Sequence, residues 1–255
     1  SSTTIKRFGI GHAPNAPFGK APLCEFLMSR GFTPLEIKTA FLGGESKNGR
    51  LYDIFRHRVM FPVFDANGEV VAFSGRRLND NEEERKYINT SDTPIFKKSR
   101  ILFGLNIAKN TESGTFVLCE GSPDAIALHQ AGFDNAVASL GTALTSEQAH
   151  LLSRYASEIL ISYDADEAGQ KAVRAALNLF SKTGVRVKVI KLEGGKDPDE
   201  IIKKYGPERF RNIVEGAAND VEYRLHNIRS RYNTMTDDGK VGFMREAVTV
   251  LAAIS

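Results

Sequence analysis

Cysteine is nearly absent from this sequence: Cys24 and Cys119 are the only two in 255 residues. That pair supplies neither a disulfide framework nor a cysteine zinc site, and a reducing cytoplasm is the expected compartment. The five histidines, His12, His57, His129, His150 and His226, are too scattered to form a metal cluster instead. No apolar run approaches the roughly 20 residues that cross a bilayer, so no membrane contact is predicted. Internal repeats, low-complexity tracts and a secretory signal are missing as well. Ser1-Ser2-Thr3-Thr4 does not look like a natural start, and residues 248–255 stop inside an apolar run. The expectation is an excised portion of a longer protein.

What is present suits a globular chain. Hydrophobic residues make up 42% and charged residues 25%, enough to bury a core shared by two or three subdomains. Net charge is only +3 but uneven. Residues 1–114 carry 17 Lys+Arg against 12 Asp+Glu, residues 115–200 carry 8 against 12, and residues 201–255 carry 9 against 7. A basic flank beside an acidic centre suits a polyanion near a metal site. An excess of this size is also ordinary for a solvated surface, so charge alone decides nothing.

Residues 115–200 read as alternating strands and helices. Strands are predicted at Thr115–Cys119, Ala136–Ala138, Ile159–Tyr163 and Val185–Ile190. Helices are predicted at Pro123–Ala131 with Ser122 as N-cap, Ser146–Tyr155 capped by Thr145, and Glu167–Lys182. This order implies α/β architecture: a mostly parallel sheet with helices on both faces. Residues 1–114 predict an α+β basic subdomain. It has helices at Leu23–Arg30 and Pro34–Phe41, a hairpin of Arg58–Phe64 with Glu69–Phe73, and a charged loop at Asn79–Lys86. Residues 201–255 read as a helical subdomain, broken near Gly206-Pro207 and from Asn233 to Gly239. Most of the 16 phenylalanines sit at core spacing; Phe18, in a proline-rich loop, is the one least assigned to the core. Cys119 reads as a small buried strand residue and His129 as lying on a helix flank. Gly9-Ile10-Gly11 has no strand–helix context.

Acidic residues recur where strands end. Glu120 follows Phe116–Cys119, Asp164 and Asp166 follow Ile159–Tyr163, and Asp197 and Asp199 follow Gly194-Gly195. Strand ends of a parallel sheet converge on one rim, where ligands bind. Crowded carboxylates repel unless a cation neutralises them, and hard oxygen donors suit Mg²⁺ or Mn²⁺. Each group also has a structural explanation. Acids at a helix N-terminus are stabilised by its dipole, which accounts for Asp166, Glu167 and the Asp197-Pro198-Asp199-Glu200 start. It does not account for Glu120 or Asp164.

The run Val117–Gly121, followed by Tyr163-Asp164-Ala165-Asp166-Glu167-Ala168-Gly169, resembles the Toprim domain of primases, topoisomerases, some nucleases and recombination mediators. The segments Ala125–Phe133, Asn135–Thr145, Arg58–Val63, Arg85–Thr90 and Ile101–Leu105 are similar, in order, to the bacterial DnaG-type primase family. The likeness runs from about Lys6 to the C-terminal end. One departure stands out: Gly121-Ser122-Pro123-Asp124 replaces the family's usual Gly-Tyr-Met-Asp. It retains Asp124 and loses an aromatic and a flexible apolar group beside the site.

The resemblance implies three parts: the α+β subdomain 1–114, a Toprim subdomain 115–200 and the helical subdomain 201–255. It implies an RNA polymerase core that copies single-stranded DNA into short RNA primers from ribonucleoside triphosphates, using two or more Mg²⁺ or Mn²⁺ ions. Glu120, Asp164 and Asp166 would form the catalytic acidic cluster, with Asp197 and Asp199 as further metal ligands and Asp124 as a supporting acid. Two roles stay open for Glu120, metal ligand or general base. Arg7, Arg76, Lys86, Asn89 and Lys98 would meet template or nucleotide, although Arg76-Arg77 and Lys97-Lys98 also read as solvated loop charges. The family protein works at the bacterial replication fork, in the cytoplasm. It also carries a zinc ribbon and a region that binds the replicative helicase, and neither is visible in this chain. Two rivals remain, a Toprim nuclease and a non-catalytic nucleic-acid-binding module. Cleavage without nucleotide incorporation marks the first, and failure to bind Mn²⁺ the second.

Overall fold

A computed structural model describes residues 1–17, 19–79 and 84–252. Phe18, the middle of the Asn79–Lys86 loop and the last three residues of the C-terminal apolar run lie outside the described residues.

In the N-terminal third, α1 (Ser2–Phe8) stops at Gly9, whose left-handed backbone turns the chain into β1 (Gly11–Ala13). Gly9-Ile10-Gly11 is therefore a helix stop and a strand start, a context that pattern reading missed. α2 (Pro22–Ser29) and α3 (Pro34–Thr39) each open with proline, and Thr33 and Glu36 close a capping box on α3. β2 (Gly43–Glu45) and β3 (Leu51–Asp53) pair as a small hairpin. β4 (Arg58–Phe64) and β5 (Val70–Arg77) form the predicted hairpin. With β1 and β6 (Tyr87–Asn89) they make an antiparallel sheet in the order β1-β4-β5-β6. A 3-10 turn over Lys98–Arg100 and α4 (Leu105–Ala108) lead out of this region.

The chain continues through β7 (Thr115–Cys119), α5 (Ser122–Gln130), β8 (Ala136–Ala138), α6 (Ser146–Ser153), β9 (Glu158–Ser162), α7 (Glu167–Phe180) and β10 (Arg186–Val189). Then come α8 (Pro198–Tyr205), α9 (Pro207–Glu215), β11 (Ala218–Asn219), α10 (Asp220–Arg229) and α11 (Asp237–Ala252). The sheet order is β11-β10-β9-β7-β8, parallel except for β11. Phe116–Cys119 and Ile159–Ser162 are buried without alternation, as strands covered on both faces must be. Ala125, Leu128 and Ile201 cover one face from α5 and α8. Ala149, Leu152, Val173, Ala176, Leu177 and Phe180 cover the other from α6 and α7.

Three local expectations need correction. Gly121, in extended backbone, is the N-cap of α5, and Ser122 is its first helical residue with no capping bond from its side chain. His129 is buried: its ring lies edge-on to Phe8 at 5.0 Å, and its Nε2 bonds the Ala136 carbonyl at 2.9 Å. The two-residue strand β11 interrupts the helical C-terminal third, too short to leave a pattern in sequence.

Candidate metal and nucleotide site

Parallel pairing sends the chain out of β7, β8 and β9 at one rim. Cys119 lies level with Ala138 on one side and Ser162 on the other. Glu120 is the first residue past β7. Its Oε1 accepts the backbone N–H of Asp164, two residues past β9, at 3.1 Å. The two acids left unexplained by helix capping are therefore neighbours. Ser139, just past β8, donates from its hydroxyl to the Glu120 carbonyl at 3.0 Å.

Local structure fixes the other acids. Asp166 is the N-cap of α7 and accepts the Gly169 N–H at 2.8 Å. That helix packs hard on the Asp164 backbone: a Cβ on Gly169 would lie 2.0 Å from the Asp164 carbonyl oxygen. Asp197 is the N-cap of α8 and accepts the Glu200 N–H at 2.7 Å. Asp199 pairs with Lys203 at 2.5 Å. The loops after β9 and β10 are joined by the Ala165 N–H, which donates to the Lys196 carbonyl at 3.1 Å. Asp124 lies in the first turn of α5, half-buried.

The charges of this group act on one another. Burial pushes the Asp124 carboxyl up to about 7, and the charges of Asp197, Asp164 and Asp199 add to the shift. Glu120 is raised by burial, then by Asp164 and Asp166, against the N–H bond that lowers it. Asp164 is raised by burial, then by Asp197 and Asp166, with Lys196 opposing. Among the described residues, none of Glu120, Asp124 or Asp164 has a basic partner within ion-pair distance. Hard oxygen donors crowded without an ion-pair partner fit a divalent cation in donor chemistry. Among the described residues no three acids are already close enough together to ligate a single ion. Capping and ion pairing thus occupy Asp166, Asp197 and Asp199, while Glu120, Asp124 and Asp164 are uncompensated.

The basic and polar candidates are dispersed. Arg7 pairs with Asp134 at 2.6 Å on the surface. Exposed Arg76, on β5, sets its guanidinium over the Tyr87 ring at 5.8 Å. Lys86 is exposed at the entry to β6. Asn89 donates to the Leu140 carbonyl at 3.3 Å, tying β6 to the loop after β8. Lys98 is half-buried, and burial lowers its pKa while Asp92 opposes. Tyr87 links the two regions: burial raises its phenol, Asp124 raises it further and Arg76 lowers it. The antiparallel sheet edge is therefore within electrostatic reach of the acidic rim. Pattern reading gave no role to Tyr87, Gly169, Lys196 or Gln148. Of these, only Gly169 left a signal, a glycine in the first turn of an otherwise good helix.

A family model described as the N-terminal domain of the DNA primase catalytic core matches residues 1–109, and a Toprim-like model matches residues 117–202. The DNA primase of Clostridium acetobutylicum is 43% identical over 249 residues, 97% of this chain and 41% of that protein. The DNA primase of Geobacillus stearothermophilus is 39% identical over 257 residues, 99% of this chain and 42% of that protein. The chain spans about two-fifths of the curated relatives it matches. The RNA polymerase domain of the Mycobacterium tuberculosis primase DnaG superposes with a TM-score of 0.87 at 30% identity, covering 100% of this chain and 82% of that one. A DnaG primase catalytic domain bound to single-stranded DNA gives 0.83 at 33% identity, covering 99% and 79%. Family models, sequence identity and superposition agree: the chain belongs to the DnaG primase family.

Proposed function

We propose that this chain is the catalytic core of a primase, copying single-stranded DNA into short RNA primers during DNA replication by metal-dependent nucleotidyl transfer. The observation that carries this reading is the contact between Glu120 and Asp164 past adjacent parallel strands, with Asp124 close enough to feel their charge and no ion pair to any of the three among the described residues. Metal dependence belongs with Toprim-type primases. In this reading residues 1–114 bind polyanion, residues 115–200 hold the metals and residues 201–255 form a helical extension.

Glu120, Asp164 and Asp166 would hold Mg²⁺ or Mn²⁺, two or more ions, and Asp197 and Asp199 would complete the set, the carboxylates closing in on the metal from the spacing they have without it. Bound there, the metal supplies positive charge that lowers the pKa of the attacking 3′-hydroxyl and steadies the triphosphate and departing pyrophosphate. Glu120 keeps one carboxylate oxygen outside its bond to the Asp164 N–H, and that oxygen is the candidate to accept the hydroxyl proton. Burial and the neighbouring acids push the Asp124 carboxyl up to about 7, so near neutral pH it is shared between its protonated and charged forms. Arg76, Lys86 and Lys98 contact phosphates of template or nucleotide, fixing register without reading sequence. Arg7 joins them only by leaving Asp134, and Asn89 offers its remaining polar capacity beside Leu140.

The partners are single-stranded DNA, ribonucleoside triphosphates and the growing RNA primer. A replicative helicase would be met through a part of the longer protein, at the replication fork in the bacterial cytoplasm. Among the described residues no helix is long and apolar enough to cross a membrane. The test is labelled ribonucleotide incorporation on a single-stranded template with Mg²⁺ or Mn²⁺. Template-dependent RNA that disappears with chelator is expected. Template cleavage with no incorporation would replace this reading with a nuclease.

A further inference from the structure

We propose that Gln148 is a positioning residue that holds the Lys98 turn, which the loop after β8 ties to the acidic rim, so that template affinity depends on it. The proposal rests on reading Lys98 as a phosphate contact.

Gln148 lies in the first turn of α6 and is 0% exposed. Its Nε2 donates to the carbonyls of Lys98 at 3.1 Å and Ile101 at 2.8 Å. Its Oε1 accepts the Thr145 N–H at 3.0 Å. A primary amide has two N–H donors, and both are engaged by the carbonyls that bracket the 3-10 turn over Lys98–Arg100. Reversing the amide would aim an oxygen at two carbonyls, so only this orientation is satisfied. Thr145, the N-cap of α6, adds a hydroxyl bond to the Ser99 carbonyl at 2.6 Å. Two side chains at one helix end therefore hold three carbonyls of the turn. From the other side, an Asp92 carboxylate oxygen accepts the Lys98 N–H at 3.0 Å.

The location gives this clasp its use. Residues 139–145 run from the end of β8 straight into α6. Their first residue bonds the Glu120 carbonyl, and Asn89 bonds the Leu140 carbonyl. The 139–145 loop is thus hydrogen-bonded to Glu120 at its start and, through Thr145 and Gln148, to the Lys98 turn at its end. The Lys98 ammonium has no carboxylate within ion-pair distance among the described residues. Its backbone is fixed while its ammonium, among the described residues, forms no ion pair, as a phosphate contact requires. Leaving the two carbonyls without a donor would release the turn, because buried unpaired polar groups are costly.

A glutamine that only supports the fold would lower the melting temperature and leave DNA binding alone. The experiment titrates a fluorescein-labelled single-stranded oligonucleotide by anisotropy over a range of salt, with melting followed by circular dichroism. Wild type, Gln148→Met, Lys98→Ala and the double variant are compared. Each single change is expected to weaken binding roughly threefold or more and to reduce the salt slope by about 0.7, one single-strand phosphate contact. The double variant is expected to bind no worse than Lys98→Ala, because Gln148 acts through Lys98. Thr145→Ser keeps the hydroxyl and is expected to match wild type, while Thr145→Val follows Gln148→Met. If Gln148→Met does not fold, the Thr145 pair carries the test. Wild-type affinity and slope in a folded Gln148→Met, or additive losses in the double variant, overturn the positioning role. Unchanged binding by Lys98→Ala overturns the reading of Lys98 itself, and the positioning role with it, while leaving ribonucleotide incorporation as an independent check of primase function.

Discussion

Asp124 shows how one side chain can report on the site. Its carboxyl titrates near 3.8 when free and near 7 in the folded protein. Between those values the folded protein keeps a proton that the unfolded chain has lost, so metal-free stability falls as pH rises from about 4 to about 7. The span corresponds to a loss on the order of 2–4 kcal/mol. Asp124→Asn is expected to remove that slope and to be the more stable form at neutral pH, measured by thermal melting in chelator across pH. Parallel pH profiles for the two proteins would contradict the crowding described above. Sequence made Asp124 visible only as a family residue. Its burial and the approach of Asp197 arise from α5 and α8 packing side by side, which no local pattern encodes. Glu120 and Asp164 were legible directly, because an acid closing an apolar strand has no capping explanation.

At the scale of elements, the decisive contact is the first turn of α7 on the loop after β9. Gly169 has no side chain because the Asp164 carbonyl occupies that space. Alanine favours helix, so Gly169→Ala should leave the helix intact and displace the Asp164 backbone instead. Incorporation is expected to fall tenfold or more while circular dichroism stays that of wild type. Full activity in this variant would mean that the Asp164 loop tolerates movement. The parallel strands and their helices were readable because unbroken apolar runs alternated with capped helical patterns, such as the helix that follows Thr145. The short strands β1, β2, β3 and β11 were not readable: two or three residues cannot show a period of two, and none of them is an unbroken apolar run like Ala136–Ala138. Ser122 was misread as a cap because Ser-Pro is a good start signal, yet the chain stays extended at Gly121 and enters the helix one residue earlier.

For the whole molecule, the edge of the antiparallel sheet lies within electrostatic reach of the acidic rim. The antiparallel sheet brings Arg76 and Tyr87 within electrostatic reach of Asp124, the loop after β8 joins Asn89 and Glu120, and Gln148 of α6 holds the Lys98 carbonyl. That juxtaposition was foreshadowed by the uneven charge along the chain, but which basic residues belong to it was not. Arg7 is the clearest example: its sequence position suggested a polyanion contact, and in the fold it pairs with Asp134, while Phe8 beside it stacks on Phe103. Distant pairings of this kind depend on how α1 docks on α5, and they leave no mark in the local sequence. The central claim is that strand-end carboxylates gather to serve nucleotidyl transfer. The most direct measurement is ribonucleotide incorporation on single-stranded DNA by Asp164→Asn beside wild type, both shown to be folded. The account predicts a loss of at least about a hundredfold, on the scale of removing one transition-state charge contact. Incorporation near the wild-type rate would contradict it.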